Sequence, residues 1–378
     1  MSDAVTPWTL RIPQADLDDL VARLNRVRWP ERETGEGWSQ GVPLARARAL
    51  VEYWRTSYDW RRCEAMLNGF GQFRTVIDGL DLHFLHVRSS NPDAAPLLIT
   101  HGWPGSVLEF HKVIGPLTEP QRYGGRAEDA FHVVAPSLPG YGLSGKPIAP
   151  GWNIPRIATT WHALMQRLGY TRYFAQGGDW GAAVTGELAR LKPSGLAAVH
   201  MNIVAAFPKV FPKEPNEEER GALALLDRYQ KLENGYAIEQ STRPQTLGYG
   251  LADSPAGQAM WIYEKFWAWT DCDDDPESVL TRDEMLDDIT LYWLTNSAAS
   301  SARLYWESFG KLPRFVTDLP TGFSRFPKEI FRAPRHWAAE TFTNIVHWND
   351  LERGGHFAAL EQPEAFVREV RDCFRPLR

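Results

Sequence analysis

Tyr173-Phe174-Ala175-Gln176-Gly177-Gly178-Asp179-Trp180-Gly181-Ala182-Ala183 is the stretch that decides the fold. A short apolar strand runs into a sharp turn, and a helix follows. Gly177 and Gly181 stand two residues before and two after Asp179. Such spacing has a steric reason: a strained central residue in a strand-to-helix turn tolerates no bulk at those places. The central residue is a carboxylate, which constrains the chemistry. A hydroxyl or thiol there would suit acyl transfer. A carboxylate instead displaces at an sp³ carbon and becomes an ester that water must then hydrolyse. The plainer alternative, that Asp179 merely caps the helix, is weighed by the neighbouring motifs.

Outward from this turn, short apolar runs alternate with helical segments. Pro96 to Thr100, Phe131 to Ala135, Tyr173 to Gln176 and Leu196 to Val204 are expected as strands, and Ile157 to Leu168 as a helix. Fully apolar strands separated by helices argue a mostly parallel sheet covered on both faces. Before them, Phe73 to Ile77 and Leu80 to Val87 have period two and are joined by Asp78-Gly79, a hairpin signal. Further upstream, Leu17, Leu20, Val21 and Leu24 recur at helical spacing, and one long helix is expected from Leu44 to Met66. Pro208 to Ser308 breaks the alternation. Glu217 to Lys231, Trp261 to Trp269 and Glu284 to Trp306 are expected as helices of an insertion over the sheet. The sheet pattern then resumes briefly, and a helix from Pro363 to Phe374 closes the chain. The expected organisation is an N-terminal extension (1–92), a first half of the core (93–207), a helical lid (208–308) and a second half of the core (309–378). This is an α/β-hydrolase fold with a helical lid and an N-terminal helical and meander extension.

The turn after the strand Pro96 to Thr100 is His101-Gly102-Trp103-Pro104-Gly105. In this fold that turn supplies one backbone N–H to an oxyanion hole, and the residue after the nucleophile supplies the other. Trp103 and Trp180 fill those places, with His101, Gly102 and Pro104 shaping the turn. Near the C-terminus, Gly354-Gly355-His356-Phe357-Ala358 precedes the last helix. His356 occupies the position from which a histidine can take a proton from water. A carboxylate must orient it. Asp350 and Glu352 lie too near His356 in sequence, and Asp318 falls at the wrong end of its strand. Glu329, in Phe326-Pro327-Lys328-Glu329-Ile330, is the choice that pattern favours.

The chain has 378 residues, with 43% hydrophobic and 23% charged, enough for a large core and against global disorder. Its net charge of −6 gives no reason to invoke nucleic acid or an anionic membrane surface. Three cysteines, Cys63, Cys272 and Cys373, are too few and too scattered for a disulfide framework or a CxxC metal site and are expected as reduced, buried thiols. The acidic run around Asp273 and Asp274 lacks the glycine and closing glutamate of a calcium loop, so it is expected as a solvated loop. Neither a signal peptide nor a membrane-spanning run is visible. No metal or cofactor is expected. Sixteen tryptophans leave room for an aromatic-lined pocket.

These motifs together resemble the microsomal-type epoxide hydrolases, including their fungal, bacterial and juvenile-hormone members. The resemblance covers nearly the whole chain. It rests on His101 to Ser106 (HGWPGS), Gly178 to Ala183 (GDWGAA, after a second glycine), Pro320 to Ile330 (PTGFSRFPKEI) and Glu352 to Glu364 (ERGGHFAALEQPE). It implies Asp179 as nucleophile, His356 as base and Glu329 as its acid. It further implies two lid tyrosines as proton donors to the epoxide oxygen. Tyr236, in Gly235-Tyr236-Ala237, and Tyr305, in Ala302-Arg303-Leu304-Tyr305-Trp306-Glu307, match them. Phenols are suitable donors, because an alkoxide leaves poorly unless protonated. The membrane anchor of the microsomal enzymes has no counterpart in the chain, so a soluble, cytoplasmic enzyme is expected.

The expected reaction is conversion of an apolar or aryl epoxide and water to a vicinal diol. Its setting would be detoxification, catabolism or natural-product biosynthesis. A haloalkane dehalogenase also uses an aspartate nucleophile, but a halide needs N–H donors and no acid. A catalytically silent fold used for ligand binding would be expected to lack a member of the triad, and none is missing. The lid and N-terminal extension are surfaces on which a homodimer could form.

Overall fold

The structure is a computed structural model and describes residues 4–378. The first three residues of the N-terminal extension lie outside the described part.

Among the described residues, nine strands form one sheet. They are β1 (Thr6–Pro7), β2 (Gln72–Ile77), β3 (Leu80–Val87), β4 (Ala95–Thr100), β5 (Phe131–Pro136), β6 (Tyr173–Gly177), β7 (Leu196–Met201), β8 (Thr321–Arg325) and β9 (Ile345–Asp350). Their order across the sheet is β1-β2-β3-β5-β4-β6-β7-β8-β9. From β5 to β9 every pairing is parallel, while β1, β2 and β3 add antiparallel. Asp78 and Gly79 both have positive φ, which gives the tight turn between β2 and β3.

Alternate residues of the central strands point to opposite faces, so each face has its own core. Leu98, Val134, Ala175 and Val199 pack with Trp161, Leu164, Val184 and Leu188 from the helices Ile154–Arg167 and Asp179–Leu191. Leu97, Ile99, Val133, Phe174 and Ala198 pack with Val113, Phe366, Val370 and Phe374 from His111–Thr118 and Pro363–Phe374. Burial on both faces explains why these strands are continuous apolar runs and not alternating ones.

Several expected elements have different bounds. The helix expected from Leu44 to Met66 is two helices, Leu44–Thr56 and Trp60–Gly69, because Asp59 caps the second by accepting from Arg61 N–H. The strand expected to reach Val204 ends at Met201. The helix expected from Glu284 to Trp306 is also two, Arg282–Leu294 and Ala298–Ser308, with Asn296 at positive φ between them. Between β7 and β8 lie the helices Glu217–Arg228, Gly235–Thr242, Pro244–Asp253, Pro255–Trp269, Arg282–Leu294 and Ala298–Ser308. The N-terminal helices brace this layer. Tyr58 Oη donates to Asp287 at 2.7 Å, and Arg62 donates to the same carboxylate at 2.6 Å. From the other side, Tyr292 Oη donates to the Gly105 carbonyl at 2.8 Å, tying the layer to the turn after β4.

All three cysteines are free and buried. Among the described residues, no helix is long and apolar enough to cross a membrane, and no group of three or more His, Cys, Asp or Glu side chains could hold a metal ion.

Candidate active site

Four strand ends converge on one place. β6 delivers Asp179, β4 the turn His101 to Pro104, and the segments after β8 and β9 bring Glu329 and His356. Asp179 begins the helix Asp179–Leu191 with φ +48°, a left-handed conformation that a non-glycine residue adopts only where its surroundings hold it. The surroundings here are backbone. A Cβ on Gly177 would lie 2.1 Å from Gly181 O, and one on Gly181 would lie 1.9 Å from Thr100 O. These contacts are the physical content of the small-x-Asp-x-small pattern.

Trp103 N–H donates to Asp179 Oδ1 at 2.8 Å. Gly102 makes that approach possible, since a Cβ there would stand 2.2 Å from the same oxygen. His101 holds the turn from behind. Its Nε2 accepts from Leu138 N–H at 3.1 Å, which places the proton on Nδ1, 3.0 Å from the Gly102 carbonyl. Burial lowers its pKa to about 4, so it is a neutral structural donor. The N–H of Trp180 is one of the first-turn groups that a helix leaves without an intrahelical partner.

His356 is 6% exposed and Glu329 2%. His356 Nδ1 lies 2.6 Å from Glu329 Oε1, and Nε2 faces Asp179 Oδ2 at 3.4 Å. A bridge between Lys328 and Gly355 holds the two loops side by side. Burial alone would lower the pKa of His356. The Glu329 and Asp179 carboxylates on either side outweigh it and hold the imidazole well above its ordinary range. The other carboxylates considered from sequence are elsewhere: Asp318 is exposed beside Lys192, Asp350 pairs with Arg325 at 2.5 Å, and Glu352 is exposed.

Tyr236 and Tyr305 come together from separate helices, with ring centroids 5.7 Å apart. Both pack on the Trp103 indole, Tyr236 stacked at 4.9 Å and Tyr305 edge-on at 5.9 Å. Tyr305 also meets Trp180 edge-on at 4.8 Å. Both are buried, and burial raises both phenols well above their ordinary value, so they are protonated. Trp269 closes the wall, with its ring 5.2 Å from Tyr236 and 5.0 Å from His356.

Sequence similarity runs through both halves of this arrangement. The family described as "Epoxide hydrolase N terminus" matches residues 5–110, and the one described as "alpha/beta hydrolase fold" matches 95–252. A Stigmatella aurantiaca protein named "Putative epoxide hydrolase" is 58% identical over 376 residues, covering 99% of this chain and 86% of the relative. The chain belongs to the epoxide hydrolase family. Epoxide hydrolase 1 of Sus scrofa is 34% identical over 98% of the chain and 88% of its own length. Among solved structures, juvenile hormone epoxide hydrolase from Bombyx mori superposes with a TM-score of 0.92 at 32% identity, covering 100% of this chain and 95% of that one. Aspergillus niger epoxide hydrolase gives 0.89 at 33% identity, covering 100% and 97%.

Other residues of this epoxide hydrolase family member touch the site without having announced themselves in sequence. Tyr229, in a π-helical turn, places its hydroxyl 3.2 Å from that of Tyr236. Lys265 lies buried against the Tyr236 ring. Glu109 sits behind the turn after β4, where a Cβ on Gly105 would collide with its carboxyl, and burial pushes that carboxyl well up. A lone tyrosine, lysine or glutamate inside a helix carries no local pattern, so position in the fold is what reveals each of them.

Proposed function

We propose that the chain hydrolyses an apolar or aryl epoxide to a vicinal diol through a covalent ester on Asp179. The observation that carries the reading is the pair of protonated phenols, Tyr236 and Tyr305, packed on the same indole whose backbone N–H grips Asp179. Trp103 N–H fixes Oδ1 and leaves Oδ2 to attack an epoxide carbon. That attack breaks the carbon–oxygen bond, and the departing oxygen takes a proton from a phenol. The residues 208–308 then act as the lid that supplies both donors.

In the second step, water attacks the ester carbonyl, and His356 takes its proton. The carbonyl oxygen becomes an oxyanion at the Trp103 N–H, with Trp180 N–H as the second donor. Loss of the Asp179 charge in the ester removes one of the two carboxylates that hold His356 protonated, so the histidine becomes a base when one is needed. The tetrahedral intermediate collapses by breaking its bond to the alkyl oxygen, which leaves as the diol hydroxyl with the proton of the newly added hydroxyl, and the Asp179 carboxylate re-forms. The proton that His356 gave up on becoming a base neutralises the phenolate, so the water proton it takes returns every group to its starting state. A cytoplasmic location belongs to the same reading, supported by three unpaired, buried cysteines.

A dehalogenase reading has one observation in its favour: the Trp180 indole N–H is buried with no hydrogen-bond partner and could meet a halide. Two phenolic acids would have no task there. Turnover of a panel of racemic aryl and alkyl epoxides, set against haloalkanes of matching size, separates the two. The proposal expects diol from epoxides and no halide release. Halide release without diol would overturn it.

A further inference from the structure

Lys265 occupies the helix Pro255–Trp269 and is 2% exposed, a rare setting for an ammonium. Its Nζ lies 4.5 Å from the Tyr236 ring centroid and 5.5 Å from that of Trp269. Its carboxylate partner is Glu264, at 3.0 Å. A buried cation is costly, and one ion pair with a partly exposed glutamate does not explain why the ammonium lies over these two rings.

The groups facing Tyr236 give it one. Tyr229 reaches its hydroxyl from the π-helical turn, Tyr305 comes from Ala298–Ser308, and Asp179 from the strand-to-helix turn. Burial, Tyr229 and Asp179 disfavour a negative charge on Tyr236, while the bond with Tyr305 favours it. His356 stands beyond the Trp269 indole. Lys265 acts in the opposite sense. Over a neutral phenol it makes a cation–π contact. Once Tyr236 has given its proton to the epoxide oxygen, the ring carries part of a full negative charge, and the same ammonium becomes a counter-ion. The interaction therefore strengthens along the reaction, which is the condition for it to speed the step.

We propose that Lys265 is a positioning residue that makes Tyr236 the stronger of the two proton donors by stabilising its phenolate. The inference rests on the reading of Tyr236 as a donor. Tyr305 has no such cation against its ring in the described structure, so the two phenols are not equivalent. Burial lowers the pKa of Lys265 from its ordinary value, opposed by Glu264 and Glu233. The cation is consequently lost at alkaline pH, ahead of an ordinary lysine.

The test is the single-turnover alkylation rate, followed by tryptophan fluorescence as a function of pH, in Lys265→Met, Lys265→Arg, Tyr236→Phe and the double variant Lys265→Met/Tyr236→Phe. We expect Lys265→Met to slow alkylation about tenfold at neutral pH, less than the roughly 10²–10⁴-fold that a general acid supplies as a whole. It should also lose the alkaline fall that the proposal expects of the wild type. Lys265→Arg should keep the neutral rate and move that fall to higher pH. In the Tyr236→Phe background, Lys265→Met should add nothing. If Tyr236→Phe slows alkylation but Lys265→Met leaves it unchanged, or slows hydrolysis equally with the alkaline fall intact, the role of Lys265 is overturned while the donor role stands. If Tyr236→Phe alkylates at the wild-type rate, the donor reading itself falls, and this inference with it.

Discussion

His356 Nδ1 stands 2.6 Å from Glu329 Oε1, joining the segments that follow β9 and β8 through two buried side chains. Glu329 Oε1 also accepts from Ile330 N–H at 2.7 Å, so the carboxylate is itself oriented. Glu329→Gln removes the charge and the tautomer control together. We expect hydrolysis of the ester to slow about a hundredfold or more while alkylation stays within a few-fold. Intact mass spectrometry should then find the alkylated protein accumulating on mixing with epoxide.

The pH dependence follows from the charges around His356. In the free enzyme, Glu329 and Asp179 hold its pKa well above the ordinary value despite burial. In the ester, Asp179 is neutral, so one raising influence is gone. In the proposed mechanism hydrolysis requires neutral His356, so its rate should rise with pH through a pKa lower than that of His356 in the free enzyme. The check is the pH profile of ester hydrolysis in single turnover against an NMR titration of His356 in the resting protein. Equal values would contradict the coupling.

Gly102 tests the proposed oxyanion turn. A Cβ there would meet Asp179 Oδ1 at 2.2 Å. Gly102→Ala should therefore displace Asp179, the proposed nucleophile, and lower kcat/KM for epoxide by about two orders of magnitude or more. The thermal midpoint should fall little, because the collision is with a side chain. Gly181→Ala should behave differently. Its Cβ meets Thr100 O, which is strand backbone, so loss of folded protein is expected.

Glu369 secures the catalytic end of the sheet from below. It accepts from Ser324 on β8 at 2.9 Å, from His347 on β9 at 2.8 Å and from Asn349 on β9 at 2.9 Å. Burial opposes its ionisation, but these bonds prevail and hold its carboxyl at about 2. A depressed folded pKa contributes stability above the unfolded value of about 4.3, and that contribution is lost as pH falls towards 2. Glu369→Ala should cost about 2–4 kcal/mol at neutral pH and flatten the acid limb of the stability curve, measured by denaturant unfolding.

The parts that were legible in sequence are those whose constraint is local. Asp179 was visible because backbone contacts at Gly177 and Gly181 forbid side chains at fixed offsets. The central strands were visible because burial on both faces demands unbroken apolar runs. β9 was not: its sequence, Ile345 to Asp350, lies at the sheet edge and is only partly buried, so it carries polar residues. The helix breaks after Thr56 and Leu294 were missed because apolar spacing continues across them, while the caps and the positive φ of Asn296 are single-residue signals. Tyr236 and Tyr305 entered through resemblance, since only packing on Trp103 distinguishes them from core tyrosines. Lys265 was illegible because the Tyr236 ring it lies over belongs to another helix.

The central claim is that Asp179, and not water, attacks the epoxide. A single turnover in heavy-oxygen water, with enzyme in excess and mass analysis of both the diol and the Asp179 peptide, tests it directly. The account predicts unlabelled diol from the first turnover and label in the Asp179 carboxylate, because water adds to the ester carbonyl. Label in the first diol with none in Asp179 would contradict it.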